Sequence, residues 1–143
     1  MPSALNLVLL FGVLCGNIAV FLSIYKPIGD SNILNHTHES LGAVIIGGGF
    51  ASLEVARNLD KYGVKVCLLG SDTSVARFSR SIGHFVKLPK GLKDEELLDF
   101  LIATAEKCHV RGWVLFSCID EHLRILAQHS ARLAEYFVVA TPS

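Results

Sequence analysis

Beyond residue 42 the chain alternates between two hydrophobic periods. Ala43–Gly47 (AVIIG) is a short unbroken apolar run ending in glycines, the pattern of a strand buried on both faces. Over Ser52–Tyr62 the apolar positions Leu53, Val55, Ala56 and Leu59 fall at helical spacing, and Gly63 supplies a C-terminal cap. Val64–Leu69 (VKVCLL) predicts a second strand, followed by a polar loop, Gly70–Arg80, that ends in a short helical turn. His84–Leu88 predicts a third strand closed by Pro89. Lys93–Cys108 predicts an amphipathic helix with Leu97, Leu98, Leu101, Ile102 and Ala105 on one side. Asp94, Glu95 and Glu96 stand in its first turn, where they complement the helix dipole. Trp113–Ser117 (WVLFS), Ile119–Glu135 and Tyr136–Ala140 (YFVVA) predict a fourth strand, a third helix and a fifth strand, with Trp113 and Phe116 in the core.

Strands that alternate with helices require crossover connections, which are right-handed within one sheet. The expectation is an α/β fold: a doubly wound, mainly parallel five-stranded sheet over 43–143, preceded by an apolar N-terminal helix. Such sheets bind ligands outside the C-terminal ends of their strands.

The first 42 residues are of another kind. Only Lys26, Asp30 and Glu39 are charged there, and the run Ala4–Tyr25 has no charge. As a helix that run spans about 33 Å, against a hydrocarbon core of about 30 Å. A single-pass membrane anchor over 1–25 is the favoured reading. The rivals are a signal peptide, although a basic start and an A-x-A site are both missing, and a buried helix or non-native extension. Lys26 favours a cytoplasmic C-terminal side, hence a cytoplasmic domain on a membrane anchor. Residues 26–42, with Pro27, Gly29, Asp30, Ser31, Asn32 and Asn35, read as a linker. Within it, His36 and His38 read as solvated polar residues ahead of a metal site, and Asn35-His36-Thr37 is a glycosylation sequon by pattern.

Composition narrows the function. A chain of 143 residues is about one domain. Lys+Arg and Asp+Glu are 13 each, which gives no electrostatic case for nucleic acid. A hydrophobic fraction of 51% and a mean hydropathy of +0.47 exclude disorder. The 4 cysteines lie far apart without a C-x-x-C pair, which excludes a disulfide miniprotein and a zinc ribbon. They read as buried thiols of a reducing compartment.

The candidate chemistry sits where strands end. Gly47-Gly48-Gly49 lies between the first strand and the first helix, where backbone N–H groups approach an anion closely. Gly47 and Gly49 match the first two glycines of G-x-G-x-x-G, and Ser52 holds the third position, where a small residue is needed. Gly70 stands at the tip of the second strand, where a dinucleotide site places an acid for the ribose, and Asp72 follows two residues on. Asp72 reads either as a ribose ligand or as a cap of the following turn. Arg77 and Arg80 are candidates for a carboxylate or phosphate. Asp120 and Glu121, after the fourth strand, are candidates for ligand contact or ordinary helix-start residues. Cys118 has no base placed beside it, and His84, His109, His122 and His129 lack metal-ligand spacing.

Two resemblances follow. VIIGGGFASLEVARNLDKYGVKVCLL resembles the flavin-binding start of pyridine nucleotide-disulfide oxidoreductases, which implies FAD or NAD(P). It departs from them at Ser52 and Gly70, the two positions that carry the cofactor chemistry. The second covers nearly all of 43–143: the GGG turn, Gly70-Ser71-Asp72, Ala76-Arg77-Phe78-Ser79-Arg80, a strand ending in Leu88-Pro89, a helix, Trp113–Ser117 leading into Asp120-Glu121, and a long helix into the last strand before Pro142. This order is similar to the N-terminal, pre-ATP-grasp domain of ATP-grasp ligases, in particular carboxylate–amine ligase-like and carbamoyl-phosphate-synthase-like members.

That resemblance implies a Rossmann-like domain that packs beside an ATP-grasp domain and helps shape the substrate pocket. It implies formation of an acyl phosphate from a small carboxylate and ATP with magnesium, then attack by an amine. Gly48, Gly49, Arg77, Ser79, Arg80, Asp120 and Glu121 match its recurrent positions. The fold that holds ATP and magnesium would lie beyond Ser143, in cis or on a partner chain. The expectation is therefore a substrate-side domain with no cofactor of its own, inactive alone. The alternatives are a FAD- or NAD(P)-binding oxidoreductase domain and a non-catalytic interaction module with an exposed apolar docking patch.

Overall fold

The structure, a computed structural model, describes residues 42–140. The expected N-terminal helix, anchor and linker lie outside the described residues, except that Gly42 opens the first strand. No helix among the described residues is long and apolar enough to cross a membrane.

Five strands form the sheet: β1 (Gly42–Ile46), β2 (Lys65–Gly70), β3 (His84–Lys87), β4 (Val114–Ser117) and β5 (Val138–Val139). Their order is β3-β2-β1-β4-β5 and every pairing is parallel. The expected α/β class is thus observed, with the sheet parallel throughout. β1 is central and buried along its whole length, which is why its sequence is apolar at consecutive positions. Its alternate residues feed opposite faces. Val44 and Ile46 join Cys67, Leu69, Leu97, Leu98, Leu101, Leu115, Ile125 and Leu126 on one side. Ala43 and Ile45 join Ala56, Leu59, Val66, Leu68, Ala76 and Phe116 on the other.

The helices follow from those faces. α1 (Phe50–Lys61) covers the second face with Ala56 and Leu59. It stops because Gly63 takes a left-handed φ of 72° and donates to the Asp60 carbonyl, while the Val64 N–H reaches that of Leu59. α2 (Asp94–Lys107) buries Leu97, Leu98 and Leu101 against the first face. Its start is fixed by the Glu96 carboxylate, which accepts from the Lys93 N–H at 2.8 Å.

The expected third helix, Ile119–Glu135, is two helices: α3 (Asp120–Gln128) and α4 (Ser130–Leu133). His129 ends the first at φ −106°, ψ 18°, and the next residue is Ser130, whose side chain favours helix starts over interiors. The break drops Leu133 into the core, where it is fully buried. The expected fifth strand shortens for the same reason. The N–H groups of Tyr136 and Phe137 both donate to the Leu133 carbonyl and not to the sheet. The loop after β2 contains the expected helical turn as a 3₁₀ segment, Val75–Phe78.

Candidate functional site

β1 ends at Ile46 and the chain turns at once into α1, so the glycine turn stands at the C-terminal edge of the sheet. The sheet order reverses beside it, since β1 continues to β2 on one side and β4 lies on the other. The turn is tied to both neighbours. The Gly47 N–H donates to the Leu69 carbonyl at 2.9 Å, and the Cys118 N–H donates to the Ile46 carbonyl at 2.9 Å.

Glycine is required here by close approach. Gly47 has a φ of 148°, and a Cβ on it would lie 2.5 Å from Ser52 Oγ. A Cβ on Gly70 would lie 2.6 Å from the Gly47 carbonyl oxygen. On Gly48 it would collide with the Ser74 side chain. Ser52 therefore packs beneath the turn as the small third residue. Its hydroxyl is buried with no hydrogen-bond partner. Gly49 is the N-cap of α1, no side chain caps the helix, and its first turn holds no acid. A helix start of this kind favours an anion.

A cleft of about 560 Å³ opens over the turn. Gly47, Gly48 and Gly49 line it, with Gly70, Ser71, Thr73 and Ser74 from the loop after β2. The segment after β3 adds Leu88, Pro89, Lys90, Gly91 and Leu92, α2 adds Leu97, and Ile119, Glu121 and His122 close the far side.

Four of the sequence-derived candidates are thus brought together: Gly47, Gly48, Gly49 and Glu121. Asp72, Arg77, Ser79, Arg80 and Asp120 are not among the lining residues. Asp72 is ion-paired with Lys87. That hydrogen bond, helped by the positive charges of Lys87, Arg77 and Lys90, holds its carboxyl below the ordinary value. Arg77 donates to the Asp72 carbonyl at 2.7 Å, and its guanidinium lies 4.8 Å from the Phe78 ring centroid and 5.4 Å from that of Phe85. Ser79 Oγ accepts from the Ser81 N–H at 3.3 Å. Arg80 and Asp120 are exposed.

Ser74, Lys90 and His122 are among the polar lining residues that were not candidates from sequence. Ser74 donates to the Gly48 carbonyl at 2.9 Å from 26 residues away, a contact with no sequence signal. Lys90 follows the third strand and so had the same positional signal as Glu121. His122, set aside for want of metal spacing, lines the cleft with Nδ1 buried and without a partner. Burial pushes its pKa down, partly opposed by the charge of Glu121.

No group of three potential metal ligands occurs among the described residues. Cys67 is buried, which pushes its pKa up to about 12, while Cys108 and Cys118 are half-buried. Among the described residues the reading of buried thiols holds fully for Cys67, and Cys15 lies outside them. Phe50 and Phe78 are 77% and 79% exposed, and with Val75 they place apolar surface on the two elements that flank the turn.

Compared with known proteins, the chain matches no family model and no curated protein.

Proposed function

We propose that residues 42–140 form the substrate-side domain of an ATP-grasp carboxylate–amine ligase, with the glycine-turn cleft as part of its carboxylate pocket. The observation that carries this reading is the closure of Gly70 on Gly47. A dinucleotide site needs an acid at the end of the second strand to hold the ribose. Here no side chain fits at that position, and the nearest acid, Asp72, is paired with Lys87 and does not line the cleft. What remains is a short anion-favouring turn beside a part-apolar cleft, which suits a small carboxylate better than FAD or NAD(P).

Two further features support the reading. The order of motifs across 43–143 resembles that of the pre-ATP-grasp domain. The exposed Phe50, Val75 and Phe78 offer apolar surface for a catalytic domain to cover. In the ligase, that second domain supplies ATP and magnesium and forms the acyl phosphate. The present residues bind the carboxylate, orient it and exclude water from one side of it.

The test is to sequence the native transcript past codon 143 and to weigh the native protein intact. The reading expects continuation into a lysine-bearing ATP site with late acidic metal ligands, or a co-purifying chain that carries them. A native protein of this mass alone, with no such partner, overturns it.

A further inference from the structure

We infer that the edge of the sheet where the strands begin rests on a lipid bilayer with anionic headgroups. This goes beyond the proposed function and concerns the opposite edge from the glycine-turn cleft.

The described residues hold one tryptophan and two tyrosines, and all three stand at this edge. Tyr62 closes α1, Trp113 immediately precedes β4 and Tyr136 lies just before β5. Tyr62 is 54% exposed, while Trp113 and Tyr136 are half-buried and pack against the first core face. The phenylalanines show no such bias, since Phe50 and Phe78 flank the glycine turn at the other edge. Tyrosine and tryptophan, apolar rings with a polar tip, are the residues enriched at the headgroup level of a bilayer.

The same edge is where the chain enters the domain. Gly42 pairs with Lys65 in the β1–β2 ladder, and from the β4 side it meets the Trp113 ring, with which a Cβ on Gly42 would collide. The Gly112 N–H donates to the Tyr136 carbonyl at 2.7 Å, and the Arg111 guanidinium lies 4.7 Å from the Tyr136 ring centroid. The charges suit an anionic layer. Lys61 and Lys107 end α1 and α2 and Lys65 opens β2. All three are exposed, and none is in an ion pair among the described residues. Of the nearby acids, Glu106 is held by Arg111 at 2.9 Å, Asp60 accepts from Ser81 Oγ at 2.9 Å, and Glu135 is exposed. Lysines near an anionic leaflet are attracted to it individually.

Upstream of Gly42, residues 26–41 lead back to the uncharged run Ala4–Tyr25, which has the length of a membrane span. That run ends in Tyr25-Lys26, the same aromatic and basic pairing. The 16 residues 26–41 reach about 58 Å at most. Anchored by that run, this edge stays beside the bilayer at an effective concentration of millimolar order, so a weak surface contact is populated. The cleft, Phe50 and Phe78 then face away from the lipid, open to substrate and to a second domain.

Trp113 is the one tryptophan of the chain, so its fluorescence reports on this edge alone. The test is to reconstitute the full chain into phosphatidylcholine vesicles, with or without phosphatidylserine, that carry a trace of headgroup-nitroxide lipid. Quenching of Trp113 is expected to be about twofold or more stronger with phosphatidylserine, and to lose that gain in about 1 M salt, where the Debye length is about 3 Å. Lys61→Glu, Lys65→Glu and Lys107→Glu combined should abolish the gain, whereas Lys90→Glu with Lys93→Glu, at the other edge, should leave it intact. Equal quenching in the two kinds of vesicle, a gain lost only on the Lys90 and Lys93 reversal, or a chain that does not join the vesicles overturns the inference. Circular dichroism of each variant shows that it is folded.

Discussion

The Ser74 hydroxyl donates a 2.9 Å hydrogen bond to the carbonyl of Gly48, joining the loop after β2 to the glycine turn after β1. The Ala76 N–H approaches the same carbonyl at 3.5 Å. The turn is thus tied to the loop that lines the cleft beside it, and its free N–H groups keep one orientation. Gly48→Ala drives a methyl group into Ser74 and breaks this brace. It is expected to cost about 1–3 kcal/mol. Ser74→Ala removes the shorter of the two bonds to this carbonyl and costs about 1 kcal/mol. Urea unfolding with an unchanged m-value checks both, and both variants should bind a carboxylate more weakly.

Ser52 gives the opposite expectation. Its hydroxyl is buried against Gly47 without a partner, so it carries a desolvation cost with no hydrogen bond in return. Ser52→Ala removes that cost and improves helix propensity in the first turn of α1. The protein should gain up to about 1 kcal/mol, seen as a higher Tm. A clear loss of stability would show that the hydroxyl has a partner in solution.

His122 makes stability depend on pH. Its folded-state pKa lies below the ordinary value because burial disfavours the imidazolium, although Glu121 opposes this. The unfolded chain therefore takes up a proton first as pH falls. The stabilising contribution is complete above about pH 6.5 and is lost as pH falls from there through the folded-state pKa. His122→Gln should flatten the Tm profile between about pH 7 and pH 5 relative to the parent. An unchanged slope would place the acid sensitivity elsewhere.

Asp72 separates the two ligand readings. As the ribose acid of a dinucleotide site it would be indispensable, whereas here it pairs with Lys87 on the exposed surface. Asp72→Asn is expected to leave carboxylate affinity and Tm nearly unchanged, since exposed ion pairs contribute little. A fall in NADPH or FAD affinity in this variant, measured by fluorescence, would favour the oxidoreductase alternative.

Much of the fold was legible in the sequence because a parallel sheet writes itself as unbroken apolar runs. Ala43–Gly47 and Val64–Leu69 placed β1 and β2 to within a residue at each end. Gly63 and the Asp94–Glu96 triplet marked helix ends by local rules alone. The break at His129 was not legible, because it serves the burial of Leu133, a tertiary demand on a locally helical stretch. The site divides along the same line. The glycine turn and Glu121 could be placed because each follows a strand, at the edge where such folds bind. Arg77 could not be assigned by type. An arginine after a strand suits an anion, yet this one sits against Phe78 and Phe85 and braces the Asp72 carbonyl. The ion pair of Asp72 was not legible, because its partner Lys87 stands 15 positions away and only the β2–β3 pairing brings it near.

The central claim is that the turn Gly47–Gly49 is a carboxylate site lacking its ribose acid. Two-dimensional NMR of the ¹⁵N-labelled chain tests it most directly, by titration with 3-phenylpropionate, then with NADPH and FAD. The account predicts saturable movement of the Gly48, Gly49 and Phe50 amides with the carboxylate and none with either dinucleotide. Movement of those amides, together with that of Ser71, by NADPH or FAD but not by the carboxylate would contradict it.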